Sequence, residues 1–408
     1  MDMITAAFTG EFMRRQNTLC ATLIAIGLTA IPLAHAGESW VPIDSMTVPR
    51  RFHTVTLLAS GKVLVTGGEN FEGGASALAS TELYDPTSGS WTASGTMQGP
   101  HFYHTATLLP SGKVLVLGGF NGESGGIGGA ELYDPATEIW TATTAPDTPR
   151  IYHSAVLLNS GKVLMLGGCN YNCNTVYSSA ELYDPLTETW EPAGSMPTAH
   201  GFGHTATLLD SGQVLVVAGI GAGDAILGSV ELYSPISGQW ETLAPISPPR
   251  RSHTATLLSS GQVLVAGGWN FDSLRSSLLF NPVTFQWSPI ADMTHARYDH
   301  TATLLANGRA LIAGGLNSLE FPEASEFYLP ATGGWEPGPS LHSARLSHVA
   351  VRLQAGGVLI AGGSGRDGVT ASAEVYGMPV PDPLFRDGFE TIGRDRPRLG
   401  RPHSRHAR

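Results

Sequence analysis

Short apolar and β-branched runs, each closed by glycine or a polar turn, recur along the chain about every 50 residues. In one copy, residues 104–109 are β-branched and apolar, which predicts a first strand. Residues 114–117 are entirely apolar and end at Gly118–Gly119, as expected for a strand that is covered on both faces. Residues 130–133 predict a third strand, and the turn that follows leads into a fourth near Trp140. Each copy therefore encodes a small four-stranded sheet.

An anchor histidine opens each copy, and a glycine pair follows it, with Ala218 replacing the first glycine once. The anchors are His53, His104, His153, His204, His253, His300 and His348. A lone sheet of this composition leaves apolar side chains bare on both faces, so the copies must stack on one another. Burial of a tryptophan or a tyrosine in each copy contributes about 25 cal/mol per Å² of apolar surface.

The tryptophans indicate how the stack closes. Those that follow a third strand in the same copy are Trp91, Trp140, Trp190, Trp240, Trp287 and Trp335. Trp40 instead precedes the first histidine, and the last copy has no tryptophan after Tyr376. Residues 39–46 therefore predict the missing fourth strand of the last copy, which would join the two ends of the repeat array.

The elements R-x-x-H, L-L-x-S-G, V-L-x-x-G-G, A-E-L-Y-D-P and W stand at fixed offsets in these copies. This pattern resembles the kelch-repeat family across residues 39–377. The resemblance implies an all-β fold, a seven-bladed kelch β-propeller, in which the N-terminal strand completes the last blade. We expect one propeller domain at residues 37–378.

The ends of the chain differ in composition from the repeats. Residues 1–36 combine two arginines, an apolar stretch and Ala34-His35-Ala36, which predicts a signal peptide cleaved after Ala36 and a secreted or periplasmic protein. A retained membrane helix is the alternative, but the apolar stretch is short for one. Residues 379–408 are expected to be a disordered, Arg-rich tail.

The charge of the chain restricts the binding partners that we expect, and its cysteines predict a covalent link. Charged residues are only 14% of the chain and its net charge is −11, which argues against nucleic acid or an anionic membrane as a main partner. We also expect no membrane insertion. We expect a monomer. Cys169 and Cys173 lie in one short loop, and in an oxidising compartment they predict a disulfide. A zinc site is the weaker alternative, because no histidine accompanies them.

The repeated polar residues favour structural roles over a metal ring. By strand periodicity the anchor histidines should lie between packed blades, with backbone or glutamate partners for their ring nitrogens. An arginine stands three residues before most anchors, replaced by His101 and Gly201 in two copies. It should pair with the third-strand acids Glu82, Glu131, Glu181, Glu231, Glu326 and Glu374. The alternative is a basic collar that binds an anion.

Function should reside where the copies differ. The loops between second and third strands vary, as do the residues just before each anchor, and both should lie on one face. Small, acidic and aromatic residues there suit a polar ligand such as a sugar or a peptide. The candidate binding residues are Glu69, Tyr103, Tyr152, Asp224, Trp269, Arg275, Asp299, Glu320 and Arg366. An ordinary solvated loop surface is the other interpretation.

One motif also resembles the copper-radical oxidases of the galactose oxidase type, which are seven-bladed kelch proteins. Residues 150–154 (R-I-Y-H-S) match their Tyr-His copper motif, and residues 102–105 match it in part. The family also needs a cysteine cross-linked to a tyrosine in an upstream blade and a final histidine from an appended domain, and no matching residues are found. The resemblance therefore does not extend to the radical cofactor.

We expect a kelch propeller that acts as a non-catalytic binding module for a protein or glycan, with no metal and no cofactor. A carbohydrate-active enzyme, similar to a sialic-acid mutarotase or to galactose oxidase, is the alternative. Fold alone does not decide between them, because propellers host many unrelated functions.

Overall fold

A computed structural model describes residues 38–70, 77–122, 129–318 and 320–377. The predicted signal peptide and the Arg-rich tail lie outside these residues, so both stay predictions. Within the described ranges the chain forms seven four-stranded antiparallel sheets and one small hairpin. The sheets are arranged as the blades of a propeller, which confirms the predicted fold. No helix in these ranges is long and apolar enough to cross a membrane.

The first strand of each blade lies innermost. Neighbouring first strands contact one another around the axis, and the last contacts the first. They are β2 (Thr54–Leu57), β6 (Thr105–Leu108), β10 (Ser154–Leu157), β14 (Thr205–Leu208), β18 (Thr254–Leu257), β22 (Thr301–Leu304) and β26 (Val349–Arg352).

The second strands are apolar and fully buried along most of their length, as the continuous apolar runs predict. They are β3 (Val63–Thr66), β7 (Val114–Leu117), β11 (Val163–Leu166), β15 (Val214–Ile220), β19 (Val263–Ala266), β23 (Ala310–Ala313) and β27 (Val358–Ala361). Their side chains form apolar clusters with strands of the next blade, so the core is a series of interfaces between blades.

The third strands carry the recurring tyrosine, which Phe280 replaces in the fifth blade. They are β4 (Thr81–Asp85), β8 (Ala130–Asp134), β12 (Ser179–Asp184), β16 (Ile226–Ser234), β20 (Ser277–Asn281), β24 (Ala324–Leu329) and β30 (Ala373–Tyr376). The outermost strands are β5 (Ser90–Ala93), β9 (Ile139–Ala142), β13 (Thr189–Ser195), β17 (Gln239–Leu243), β21 (Gln286–Pro289), β25 (Gly334–Ser340) and, for the last blade, β1 (Trp40–Ile43). The closure of the last blade by the N-terminal strand is therefore confirmed.

Strand direction divides the loops between two faces. The upper face carries the residues that precede each first strand and the loops between second and third strands. Isolated bridges such as Arg51 with Glu69 and Arg251 with Trp269 join these two sets. The hairpin of β28 (Ser364–Gly365) and β29 (Gly368–Val369) and the 3-10 helix Ala222–Asp224 also belong to second-to-third-strand loops. The lower face carries the other turns.

Candidate functional site

A ring of residues in left-handed backbone conformation surrounds the upper end of the axis. Each precedes an anchor histidine, and φ lies between 50° and 76° at Phe52, Tyr103, Tyr152, Gly203, Ser252, Asp299 and Ser347. Non-glycine residues pay about 1–2 kcal/mol for this conformation. Hydrogen bonds between neighbouring blades hold it, including Tyr103 N to Phe52 O at 3.3 Å and Asp299 N to Ser252 O at 3.1 Å. We call these residues the mouth ring.

Aromatic side chains form one side of the mouth ring. The ring centroids of Phe52 and Tyr103 are 4.3 Å apart, and those of Tyr103 and Tyr152 are 4.2 Å apart. Burial and the adjacent Tyr152 raise the pKa of Tyr103, and burial also raises the pKa of Tyr152. Both phenols therefore stay protonated at neutral pH. Both side chains are partly buried, and their rings and hydroxyl groups form the aromatic side of the mouth.

Small polar side chains form the other side. Ser252, Asp299 and Ser347 follow one another in successive blades; Gly203 lies between Tyr152 and Ser252, and Ser347 adjoins Phe52 at the other end. A Cβ atom at Gly203 would lie 2.7 Å from the Ser252 nitrogen, so this gap in the ring needs glycine. Burial raises the pKa of Asp299, while Ser252 and Arg251 act in the opposite direction. The mouth thus combines a stacking surface with hydrogen-bonding groups.

Two arginines flank the mouth ring at equivalent positions. In the first blade, Arg51 forms an ion pair with Glu69, with Nη2 2.7 Å from Oε1. In the fifth blade, the Arg251 guanidinium lies over the Trp269 ring at 4.4 Å and near the Phe202 ring at 5.3 Å. Neither arginine was predicted as a site residue from the sequence, and nor was Phe202. The available signal was the doubled arginine, which only these two copies have.

The remaining predicted residues lie elsewhere on the upper face. Glu320 and Arg366 line a shallow pocket of about 280 Å³ together with His295 and Glu323. Arg275 contacts Asp292 at 3.4 Å and is largely exposed. Asp224 is exposed in the loop that contains the 3-10 helix. The structure therefore brings Tyr103, Tyr152 and Asp299 into one ring with Glu69 and Trp269 beside it, and leaves the other four outside it.

The anchor histidines lie between blades, as predicted, but their predicted partners were wrong in most blades. Nε2 of His104 lies 3.0 Å from Thr54 Oγ1, a hydroxyl of the preceding blade, and His153, His253, His300 and His348 make the equivalent contact. His204 differs, because its Nδ1 contacts the Gly201 carbonyl. Burial lowers the pKa of His153 to about 3 and that of His204 to about 4. These side chains are neutral contacts between blades.

The predicted arginine–glutamate pairs are present inside the blades. Arg50 Nη2 lies 2.8 Å from Glu82 Oε1, and the pairs at Arg150, Arg297 and Arg345 are equivalent. These guanidinium groups are fully buried, so the alternative of a basic collar around a ligand is wrong.

Two blades depart from the predicted pairing. In the fourth blade the residue that pairs with Glu231 is His200, not the residue at Gly201, because this copy has one extra residue before its anchor. In the fifth blade Leu278 occupies the glutamate position. Among the described residues no carboxylate pairs with Arg250, and its pKa is lowered to about 10 by burial. Carbonyls of Gly267 and Ser276 accept its hydrogen bonds instead.

The cysteine loop lies beside the aromatic side of the mouth. The Cys169 and Cys173 sulfurs are at bonding distance, and formation of the disulfide in the protein stays a prediction. Cys169 is bridged to Ile151, and Tyr171 at the loop tip stacks on Phe120 of the preceding blade at 5.3 Å.

The oxidase-like motif is divided between two environments. Tyr152 belongs to the mouth ring, whereas His153 is buried with its Nε2 2.9 Å from Thr105 Oγ1. In the described part of the chain, no three His, Cys, Asp or Glu side chains form a group that could hold a metal ion. The residues present therefore do not fit a copper centre at this motif.

Comparison with known proteins agrees with the repeat pattern. The model of the KLHDC2/KLHL20/DRC7 Kelch-repeats domain matches residues 52–268, and the Kelch motif model matches residues 250–294. The chain belongs to the kelch-repeat family. Kelch propellers are often interaction modules. The search of curated protein sequences found no significant match for this kelch protein.

A solved structure shares the kelch propeller's architecture. It is a novel fungal alcohol oxidase of the AA5 family, in complex with copper, with a TM-score of 0.68 and 17% identity. The match covers 84% of this chain and 77% of that one. At this identity it shows the common fold alone.

Proposed function

We propose that the protein is a secreted, non-catalytic binding module that holds a glycan or protein partner at its upper face. The observation that carries this proposal is the mouth ring, with aromatic faces on one side and Ser252, Asp299 and Ser347 on the other. Hydrogen bonds between blades fix the ring before any partner arrives, so little ordering remains to oppose binding. Family membership supports an interaction role.

The mouth is the best-supported candidate site because its residues differ from copy to copy, whereas other positions of the repeat keep the same residue in most copies. Buried histidines, arginines and glutamates recur in most copies and join blades or strands. The side chains of the mouth ring change from phenylalanine through glycine to aspartate at equivalent positions. A position that stabilises every blade needs the same residue in each, whereas recognition of one partner needs different residues around the axis.

Binding measured with mouth variants tests the proposal. Purified protein is screened against glycan and protein arrays, and the hits are titrated with Tyr152→Ala, Asp299→Asn and the control Ile236→Ala. Ile236 is 96% exposed on the lower face, so its change should leave binding intact. We expect the mouth variants to bind at least about tenfold more weakly, the effect of losing a stacked ring or a charged hydrogen bond.

Two results would contradict this function. Binding that the mouth variants leave unchanged would place the partner elsewhere. Peroxide release from sugars or aldehydes by copper-loaded protein, or accelerated exchange of sialic-acid anomers followed by NMR, would show catalysis. Export is tested separately by sequencing the N-terminus of protein recovered outside the cytoplasm, where Gly37 is the expected first residue.

A further inference from the structure

The two arginines beside the mouth ring differ in how their charge is compensated. Arg51 and Arg251 directly precede ring residues, and each is bridged to the residue after a glycine pair. In the first blade that residue is Glu69, which neutralises Arg51 with Nε and Nη2 both directed at Oε1. In the fifth blade it is Trp269, which supplies an aromatic face but no negative charge.

Among the described residues, Arg251 therefore lies against aromatic rings and not in an ion pair, and Asp299 acts on it only through its charge at longer range. Trp269 and Phe202 contact its guanidinium through their rings, at 4.4 Å and 5.3 Å from the centroids. Across the described ranges of the chain, no carboxylate forms an ion pair with it. Stacking fixes the plane of a guanidinium and leaves the N–H groups at its edge directed outward. Such a group binds a carboxylate through two parallel hydrogen bonds.

The neighbouring mouth residues indicate what carries this carboxylate. Ser252, next to Arg251 in the chain, and Asp299 in the following blade belong to the polar side of the mouth ring. A carboxylate such as Asp299 accepts hydrogen bonds from hydroxyl groups and repels a second anion. A sugar acid presents hydroxyls and one carboxylate around a ring whose apolar face stacks on tyrosine. An acidic peptide instead brings several negative charges and backbone carbonyls toward Asp299.

We propose that Arg251 binds the carboxylate of a uronic acid residue in a glycan held at the mouth. This inference rests on the proposed function and names the class of ligand. Trp269 and Phe202 position the guanidinium, Asp299 and the ring serines bond the sugar hydroxyls, and Tyr103 and Tyr152 stack on the sugar ring. Glu69 keeps the equivalent arginine in the first blade neutralised, so only one side of the mouth attracts the anion.

Calorimetric titration of the full chain tests the inference. The probes are an oligogalacturonate, a neutral galacto-oligosaccharide of the same length and a short poly-glutamate peptide. The oligogalacturonate should bind at least about tenfold more tightly than the neutral probe, as expected for a charged hydrogen bond. Arg251→Gln should abolish this preference. Trp269→Glu, which copies the pairing of the first blade, should abolish it as well.

Control variants separate charge recognition from folding and from the mouth itself. Arg352→Gln removes an exposed arginine at the lower end of β26 and should leave the preference intact. Arg251→Lys keeps the charge without the planar fork and should keep part of it. Thermal unfolding of each variant is measured. If the Trp269→Glu protein is unfolded, the two Arg251 variants alone test whether the preference for the charged sugar depends on Arg251.

The outcomes distinguish this inference from the proposed function. Equal affinity for charged and neutral sugars, with Tyr152→Ala still abolishing binding, would overturn the role of Arg251 and leave the mouth as the site. Tighter binding of poly-glutamate than of oligogalacturonate would overturn the sugar assignment, as would no binding of oligogalacturonate at all. Sugar binding that is indifferent to Tyr152→Ala and Asp299→Asn would contradict the proposed function itself.

Discussion

Trp40 and Tyr376, at opposite ends of the described chain, face each other as partners in neighbouring antiparallel strands, with ring centroids 5.5 Å apart. Their strands complete the last blade, so the chain closes its own ring. Trp40 is 2% exposed and packs in a cluster shared with the sixth blade. The ends of a repeat array are its weakest part, because a terminal repeat lacks one neighbour. This contact removes that weakness.

Because Trp40 closes the last blade, its replacement should lower the stability of the protein strongly. Trp40→Ala should lower the free energy of unfolding by about 3–5 kcal/mol, the usual range for a buried tryptophan. Deletion of the residues before Arg50 should cost more, since the whole of β1 is lost. The control is Trp91→Ala, because Trp91 stacks on Tyr84 at 5.1 Å but is only partly buried. Equal thermal midpoints for the two alanine variants would contradict the closure.

The fifth blade provides a natural control for the buried ion pairs. Arg50→Met leaves Glu82 buried beside an apolar side chain, and breaking a buried pair this way costs about 3–5 kcal/mol. Arg250→Met removes a similar set of hydrogen bonds to carbonyl groups but leaves no buried glutamate without its partner. We expect it to cost less, as measured by urea unfolding of both proteins. A larger loss for Arg250→Met would show that the carboxylates contribute little.

The junction between the last and first blades lacks a hydrogen bond that other junctions have. Thr301 Oγ1 lies 3.0 Å from His348 Nε2, whereas the last blade has Val349 at the equivalent position. No side chain in the described ranges contacts His53 by a hydrogen bond. Val349→Thr should therefore stabilise the protein by about 0.5–1.5 kcal/mol, and Thr301→Val should destabilise it. In thermal unfolding, the midpoint should rise for Val349→Thr and fall for Thr301→Val, and a shift in the same direction for both would contradict the prediction.

The buried histidines predict acid sensitivity. Burial lowers the pKa of His153 and of His348 to about 3, from an ordinary value of 6.5. Between these values the unfolded chain binds the proton and the folded chain does not, so stability falls as pH falls below 6.5. Urea unfolding at pH 8, 7, 6 and 5 should show a constant free energy near pH 8 and a steep decline below pH 6.5.

A substitution tests whether the histidines cause this decline. His348→Gln should reduce by one the number of protons taken up on unfolding near pH 5, whatever its effect on stability at pH 8. A free energy of unfolding that stays level from pH 7 to pH 5 would contradict the assignment of neutral, buried rings.

The cysteine loop predicts a local effect only. Cys169→Ser removes the predicted disulfide, and the closed loop it would release is short. Amide hydrogen exchange should rise around Tyr171 while the thermal midpoint moves little. Global loosening in Cys169→Ser would show that the loop supports the blade, and an unaltered exchange pattern would argue that no disulfide forms.

Much of this architecture was already present in the sequence. The repeat spacing, the glycine pairs and the displaced Trp40 predicted the blades and their closure, because burial on both faces of a sheet imposes a regular pattern on every copy. The arginine–glutamate pairs followed from the same regularity, since both partners belong to one blade. The pairing of Cys169 with Cys173 was predicted because the two residues are only four positions apart in the sequence. Short-range patterns of this kind are determined by the residues themselves.

Contacts between blades were decided by the tertiary structure. The partner of each anchor histidine in most blades is a hydroxyl one blade earlier in the chain, and a one-residue insertion places His200 where Gly201 was expected. Which mouth residues face one another, and that Phe202 of the fourth blade contacts Arg251 of the fifth, depends on how the blades stack around the axis. The sequence determined the structure of each blade, whereas stacking around the axis determined which side chains meet at the mouth.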